Sequence, residues 1–514
     1  MTASDQPRPD QPQDRVDVLV QTGQVCQRQG DFALALTHYR QALALAEERD
    51  EPARMAVSLN HMGELYQHWG DLDQAGVCFE RAAACAETSG DHTAQVRALI
   101  GIGEVHHLRD ELGPAQGCYE RARSLAQAGG DKVGWAWSLR NLGELAHGWG
   151  EATQALDCYE QALALAKDVG DPLQVARCLN SIGLLYESRG EVAQARAAHD
   201  QALAAVEAVG DQTERVHCLN CLGLLDKNQG DLAQAQALYE RAWAIAQSVG
   251  LKGAQAMLLN NLGQILQHRG DLTGALANYR QAQAIFEQMG AKTSSAGPLN
   301  NIGQIYQSQG MWDQALAAYE RALAMTEAAG LKAQMATLLN NIGQVYQARG
   351  DVELALARYQ QALTIAREIE HQGNTALITT NIGQIYHQGG DLRPALAHYE
   401  QALVIFQALG DKAREAAVLN NIGGVHQSRG AHKQALAYFQ RALDLDRELD
   451  HRAGIARELT NIGTLYVQQR RFKKAEPLLI QAVEELQALG SPQVKLAQAW
   501  LDRARAGRGR ARRA

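Results

Sequence analysis

The sequence has 514 residues, of which 46% are apolar, 5% are aromatic and 10 are proline. This composition is ordinary for a globular chain, and the lack of any run of 18 apolar residues argues against a membrane span. The net charge of −8 is uneven, because residues 1–250 contain 20 basic and 35 acidic side chains whereas residues 251–514 contain 29 and 22.

The N-terminal residues 1–14 are polar and rich in proline, and they predict a disordered tail. They lack the apolar core of a secretion signal, so we expect a cytoplasmic protein. Several of the eight cysteines recur at equivalent positions of the period described next. That recurrence is typical of small-residue packing and not of a disulfide framework.

Glycine then recurs every 40 residues. The positions are Gly23, Gly63, Gly103, Gly143, Gly183, Gly223, Gly263, Gly303, Gly343, Gly383, Gly423 and Gly463. A fixed period of this length indicates a repeat architecture, in which each repeat buries its apolar face against its neighbours. We therefore predict twelve 40-residue repeats over residues 15–490, in place of separate globular domains.

The first half of each repeat predicts an amphipathic helix, which we call the first helix. Leu299, Ile302 and Gly303 share one helical face, whereas Asn300 and Gln304 lie on the opposite face. Glycine follows this helix in ten of the twelve repeats. Glycine at that place is typical of a left-handed C-terminal cap.

The second half of each repeat predicts another helix, which we call the second helix. Alanine occupies the equivalents of Ala315 and Ala322 in all twelve repeats, so helix backbones should approach closely there. Tyr319 lies between them, and its equivalents are Tyr or Phe except at His199 and Leu479. Each helix of about 17 residues would be roughly 25 Å long, and the two should pack antiparallel.

The repeats thus follow a recurring order of residues, namely Leu, an apolar residue, Gly and Tyr, followed by Gly, Ala, Tyr and Ala. This order resembles the tetratricopeptide repeat family over about 475 residues. The resemblance implies an all-α fold, a right-handed α-solenoid superhelix of helix-turn-helix repeats. The usual repeat has 34 residues and a proline that ends the second helix, which is missing here. The longer repeat is more similar to kinesin light chains and Pins-type adaptors, whose first helices line a concave groove that holds extended peptides.

The C-terminal part predicts one more amphipathic helix over residues 491–506, which would cap the exposed apolar face of the last repeat. Residues 507–514 are rich in arginine and predict a disordered tail. Because the C-terminal half is basic and the N-terminal half is acidic, a salt-sensitive head-to-tail self-association is a further hypothesis.

Asparagine and glutamine recur on the polar face of the first helices. Their donors and acceptors match those of an extended peptide backbone. The alternative is that they bond to one another across adjacent first helices or face water. We predict a peptide-binding groove formed by Asn260, Asn261, Gln264, Gln267, Asn300, Asn301, Gln304, Gln307, Asn340, Asn341, Gln344, Gln347, Asn381, Gln384, Asn420 and Asn421.

Three earlier repeats carry glutamate where later repeats have glutamine. Glu64, Glu104 and Glu144 predict an acidic groove wall that suits a basic partner. Glu104 with His107, and Glu144 with His147, also have the i, i+3 spacing of metal ligands. A periodic array brings such pairs together without a metal, so we predict neither a metal site nor a cofactor.

The sequence contains no P-loop, GxSxG or HExxH motif, and we predict that the protein is not an enzyme. We predict a scaffold or adaptor that binds an extended peptide or partner-protein segment in its concave groove. Two alternatives are a peptide-responsive regulatory sensor that controls a partner protein, and a helical-repeat RNA-binding protein. The acidic N-terminal half argues against nucleic acid.

Overall fold

The computed structural model describes residues 15–28, 31–291 and 293–511. The predicted N-terminal tail, residues 1–14, and the last three residues therefore lie outside the described residues. Within the described ranges the regular structure is helical, without strands. This confirms the predicted all-α repeat fold, while the count of twelve repeats stays a prediction from the sequence period. None of the described helices has the length and apolar character needed to cross a membrane.

First and second helices alternate along the chain. The first helices are α1 (Arg15–Arg28), α3 (Pro52–Trp69), α5 (His92–Leu108), α7 (Lys132–Gly148), α9 (Pro172–Ser188), α11 (Gln212–Asn228), α13 (Lys252–His268), α15 (Ala296–Ser308), α17 (Lys332–Arg349), α19 (Gln372–Gln388), α21 (Lys412–Ser428) and α23 (Arg452–Gln468). A short 3₁₀ helix, Thr293–Ser295, precedes α15.

The second helices pack on them. They are α2 (Phe32–Glu48), α4 (Leu72–Ser89), α6 (Leu112–Gly129), α8 (Ala152–Val169), α10 (Val192–Val209), α12 (Leu232–Ser248), α14 (Leu272–Gln288), α16 (Trp312–Ala328), α18 (Val352–Glu368), α20 (Leu392–Ala408), α22 (His432–Glu448) and α24 (Phe472–Ala488). A last helix, α25 (Val494–Ala511), follows.

Small residues and aromatic rings form the contact between the two helices of a repeat. Ala315, Ala322 and their equivalents are fully buried along the described chain. Gly303 faces the ring of Tyr319, and a Cβ atom built on that glycine would lie 2.5 Å from Cε1 of the ring. The period in glycine therefore reflects the close approach of a first-helix backbone to the side chain at the Tyr319 position of the following helix, which is a ring in every repeat except that of Leu479.

The chain forms two compact units, Met1–Gln334 and Met335–Ala514. Within the first unit, Oδ2 of Asp110 accepts a hydrogen bond from the backbone N–H of Ala333 at 2.8 Å. Asp110 has a φ of 60° at a position where most repeats have glycine. This bond offsets the cost of a left-handed backbone in a residue with a side chain, so the departure from glycine has a tertiary reason.

The C-terminal helix α25 lies in the second unit and buries Ala497, Leu501 and Ala504 in a cluster with residues of α24. It ends at Ala511, five residues beyond the predicted end at 506. Residues 507–511 of the predicted disordered tail are thus helical. Arg508 donates to Glu476 at 2.5 Å, and this ion pair is one reason the helix continues.

Candidate functional site

Asparagines of neighbouring first helices bond to one another. The Nδ2 group of one asparagine donates to Oδ1 of an asparagine 41 residues earlier, at 2.7–2.9 Å. We call this row the asparagine ladder, and its described pairs are Asn261 to Asn220, Asn301 to Asn260, Asn381 to Asn340 and Asn461 to Asn420. The alternative of amides bonding across adjacent helices is therefore observed for these residues. It does not exclude a ligand, because one such bond uses one of a carboxamide's four hydrogen-bonding positions.

The ladder residues differ in how much of each side chain a ligand could reach. Asn301 and Asn340 are buried, with 9% and 4% exposure. In contrast, Asn260, Asn261, Asn300, Asn341, Asn381, Asn420 and Asn421 are partly exposed. The partly exposed residues are the ones that could contact a peptide while keeping their bonds within the protein.

The two glutamine positions of the predicted groove differ in exposure, and the first of them, which holds Gln304 and its equivalents, is the more accessible to solvent. Gln304 and Gln384 are exposed, whereas Gln264 and Gln344 are partly exposed. Gln264 also accepts a hydrogen bond from Nζ of Lys227 at 2.7 Å. The exposed glutamines are accessible to a ligand without any rearrangement.

The second glutamine position has a structural role that the sequence did not indicate. Oε1 of the glutamine accepts the hydroxyl proton of the buried tyrosine twelve residues later, at 2.8 Å in each case. The pairs are Gln267 with Tyr279, Gln307 with Tyr319 and Gln347 with Tyr359. A buried hydroxyl without a partner is costly, so these three residues support the core as well as lying beside the predicted site.

In two repeats whose ring lacks a hydroxyl, the residue at this position makes a different bond. Gln67 precedes Phe79 by twelve residues, and it donates instead to Glu104 at 3.2 Å. Glu187 precedes His199, and that pair bonds at 3.1 Å. Lys227 stands at this position before Tyr239, whose buried hydroxyl has no hydrogen-bond partner among the described residues, so the residue type at this position does not follow the ring it faces.

Replacing Gln307 by Leu is expected to destabilise the protein by about 1–2 kcal/mol, because it leaves the Tyr319 hydroxyl buried without an acceptor. Calorimetric melting would measure the loss. Gln304→Leu changes an exposed glutamine of the same helix and should have little effect. Equal losses from the two variants would contradict the structural role of Gln307.

The predicted acidic wall is partly neutralised by arginines of the protein itself. Nε of Arg97 donates to Glu64 at 2.8 Å, and Nη1 of Arg140 donates to Glu144 at 2.7 Å. Burial would raise the pKa of Glu64, but His61 and Arg97 lower it overall. Burial raises the pKa of Glu104. A basic partner would thus meet less negative charge than the three carboxylates suggest.

The alternative metal site finds no support in the side-chain geometry. Nε2 of His147 lies 2.9 Å from Oγ of Ser188. Across the described part of the chain, no three His, Cys, Asp or Glu side chains group closely enough to hold a metal ion.

Comparison with known protein families identifies the same repeat along the chain. A tetratricopeptide repeat family model matches residues 54–128, 115–168, 134–208, 215–288, 254–328, 334–408 and 414–488, and a second model of that description matches residues 18–53. A search of curated protein sequences finds no match.

Solved structures with helical repeats are similar at low identity. BtubC (BKLC) from P. vanneervenii is 24% identical, with a TM-score of 0.36 over 43% of this chain and 90% of that one. A Rap protein complexed with competence and sporulation factor is 16% identical, with a TM-score of 0.47 over 69% and 98%. A STAND signal transduction ATPase with a tetratricopeptide repeat sensor, from Pyrococcus horikoshii, is 14% identical, with a TM-score of 0.44 over 65% and 54%.

Proposed function

Because the chain belongs to the tetratricopeptide repeat family, whose stacked helices serve as protein-interaction scaffolds, we propose that it is a non-catalytic adaptor for an extended peptide or partner segment. The peptide would lie across the first helices of the second unit. A cytoplasmic location is part of the proposal, since all eight cysteines, which fall within the described residues, are free thiols and such thiols suit a reducing compartment.

The observation that carries this proposal is the accessible row of amides in the second unit. Asn341, Asn381 and Asn421 are partly exposed, and Asn381 is oriented by its bond to Asn340. Amides that are held in place before binding lose little conformational freedom when a peptide arrives.

Short side chains beside two of these amides leave room for a peptide. Thr337 and Ala417 precede Asn341 and Asn421 by four residues, so each pair shares one helical face. The repeat between them has the larger Leu377 at this position. Three repeats of the first unit have longer or bulkier side chains there, namely Arg97, Trp137 and Arg177. Within the second unit, the repeats of Asn341 and Asn421 are therefore the better candidates for close approach of a peptide backbone.

The spacing of the repeat also suits an extended chain. Packed helices lie about 8–10 Å apart, and an extended peptide rises about 3.3 Å per residue. Each repeat would thus meet about three peptide residues, and its amide could bond whichever backbone N–H or C=O of that segment faces the first helix. Binding of this kind depends on shape and backbone, with little demand on peptide sequence.

A displayed library of random peptides, selected on the purified full chain, would supply a probe for this proposal. We expect the double variant Asn341→Ala, Asn421→Ala to bind a selected peptide about 10- to 30-fold more weakly in fluorescence anisotropy, because each lost hydrogen bond costs about 1 kcal/mol. Circular dichroism should show unchanged helix content.

The matched control is Gln361→Ala with Gln401→Ala, which removes two exposed amides from second helices. This control should leave the peptide affinity unchanged. An equal loss in both variants, or no loss in the asparagine variant, would count against binding across the first helices.

A further inference from the structure

Two carboxylates are buried in the last repeats at positions that are small or apolar elsewhere. Glu458 is 0% exposed and Asp446 is 1% exposed. In the second to eleventh repeats, the position of Glu458 carries small or apolar residues that are all buried: Ser58, Ala98, Ser138, Cys178, Cys218, Leu258, Pro298, Leu338, Ile378 and Val418. A carboxylate at such a position is costly unless it is paired or protonated, so its presence calls for a specific role.

Glu458 faces an asparagine that belongs to the predicted site. Oδ1 of Asn420 accepts a hydrogen bond from Asn461 at 2.8 Å, and the same atom lies 3.2 Å from both carboxylate oxygens of Glu458. An amide oxygen and an ionised carboxylate are both acceptors and repel each other at this distance. Two arrangements remove the conflict. Either Glu458 carries a proton and donates it to Asn420, or the Asn420 amide turns so that its NH₂ group faces the carboxylate.

We propose that Glu458 is a proton-binding switch whose protonation state sets the orientation of the Asn420 amide, and thereby the hydrogen-bonding pattern that this end of the asparagine ladder offers to a peptide. The peptide part of this inference rests on the proposed function. Below the switching pH, Asn420 accepts from Asn461. Above it, Asn420 donates to Glu458, and Asn461 must turn in response.

The groups around Glu458 place its titration near neutral pH. On α23, Nε of Arg457 donates to Oε1 at 2.8 Å. On α22, Asp446 shares the same arginine, with Nη2 to Oδ2 at 3.5 Å, and His451 lies 2.8 Å from its other oxygen. Burial raises the pKa of Glu458 to about 7, with Arg457 opposing and Asp446 adding to the shift. One arginine is thus shared by two buried carboxylates.

The orientation of the Asn420 amide also affects Asn421, the next asparagine of the predicted site. Nδ2 of Asn420 lies 3.4 Å from Oδ1 of Asn421, so Asn420 presents a donor to that residue when Glu458 is protonated. After the amide turns, it presents an oxygen instead. Asn421 is partly exposed, and its own orientation follows from what Asn420 offers.

Side-chain NMR of the full chain, labelled with ¹⁵N only at asparagine, tests the switch without any peptide. The signals of Asn420 and Asn461 would be identified by their loss in Asn420→Ala and Asn461→Ala. We expect both signals to shift between pH 5.5 and 8.5 with one midpoint near 7. In Glu458→Gln, which has no titrating group at this position, neither signal should move with pH. The control Glu484→Gln, on the exposed surface of α24, should titrate like the parent protein.

Signals that do not move with pH, or that move equally in Glu458→Gln, would overturn the switch. If that variant fails to fold, Glu458→Leu copies Leu258 and Leu338 and should abolish the titration in the same way. Because the readout contains no peptide, a titrating Asn420 combined with unchanged affinity of the asparagine variant would reject the proposed function and leave the switch standing. An Asn420 signal that does not move with pH, combined with weaker peptide binding by the asparagine variant, would reject the switch and leave the proposed function standing.

Discussion

Gly303→Ala is expected to destabilise the contact between α15 and α16 by about 2 kcal/mol. The new Cβ would lie 2.5, 2.7 and 2.9 Å from three carbon atoms of the Tyr319 ring. That ring is fully buried, and its hydroxyl is bound to Gln307 at 2.8 Å, so it cannot yield without breaking another contact. Overpacking of this kind costs about 1–3 kcal/mol or more, which outweighs the gain of about 1 kcal/mol from replacing glycine in a helix.

The matched control is Gly117→Ala, in the interior of α6. Gly117 is exposed, and a Cβ built there comes within 4 Å of no atom from another part of the described chain, so only the helix propensity changes and stability should rise by up to about 1 kcal/mol. Calorimetry would give the sign of each effect, and hydrogen exchange of peptides covering residues 296–326 would locate that of Gly303→Ala. A stabilising Gly303→Ala would show that close packing is not the reason for the 40-residue period in glycine.

The fold was predictable from sequence because its contacts repeat. The spacing of Ala315, Tyr319 and Ala322 recurs along the chain, and each residue packs against the same neighbours in the next helix pair. The sequence of a single amphipathic helix does not show which other helix covers its apolar face. When the same small and aromatic residues recur at a fixed period, both the partner helix and its contacting face are specified, since only one packing arrangement suits every repeat.

The roles of the amides were less accessible to sequence reasoning. Gln307 lies on the polar face of α15, and polarity alone suggests a ligand contact. Its bond to Tyr319 joins two different helices across twelve residues, so no local pattern reveals it. Asn301 is similar, because its partner Asn260 lies in the preceding repeat. Polar amides that recur on one helical face look the same in the sequence whether they bind a peptide or bond to residues of a neighbouring helix.

Departures from the period could be seen in the sequence but not interpreted. Asp110 replaces glycine at a left-handed position, and its partner Ala333 lies 223 residues away. Glu458 replaces a small or apolar residue, and besides residues of its own helix such as Arg457 the groups around it come from α21 and α22. In both cases the repeat shows that something differs, whereas the reason depends on contacts that only the packed structure brings together.

Arg457→Ala is expected to have the largest effect of the substitutions considered, a loss of about 3 kcal/mol at pH 8.5, because it leaves two buried carboxylates without their shared arginine. Glu458 and Asp446 are 0% and 1% exposed, so water cannot replace the lost partner. His451 lies against the far oxygen of Asp446 and does not reach Glu458.

The pH dependence of this loss has a definite sign. The pKa of Glu458 is raised to about 7 in the folded protein, and in an unfolded chain a glutamate titrates near 4.3. Stability therefore falls as pH rises between these values, in the parent protein and in the variant alike. Above pH 7 the parent protein stabilises the ionised Glu458 with Arg457. In the variant the pKa of Glu458 should be higher still, so stability continues to fall as the pH rises. The difference between them should thus be larger at pH 8.5 than at pH 6.

Arg452→Ala is the matched control on the same helix. Arg452 pairs with Glu485 at 2.7 Å, but half of its side chain is exposed, so its loss should cost at most about 1 kcal/mol and should not change between the two pH values. Calorimetric melting at pH 6 and pH 8.5, with hydrogen exchange of α23 and α24, would compare the variants. If Arg457→Ala proved no more damaging than Arg452→Ala, or equally damaging at both pH values, Arg457 would not be the group that holds the buried charge of Glu458.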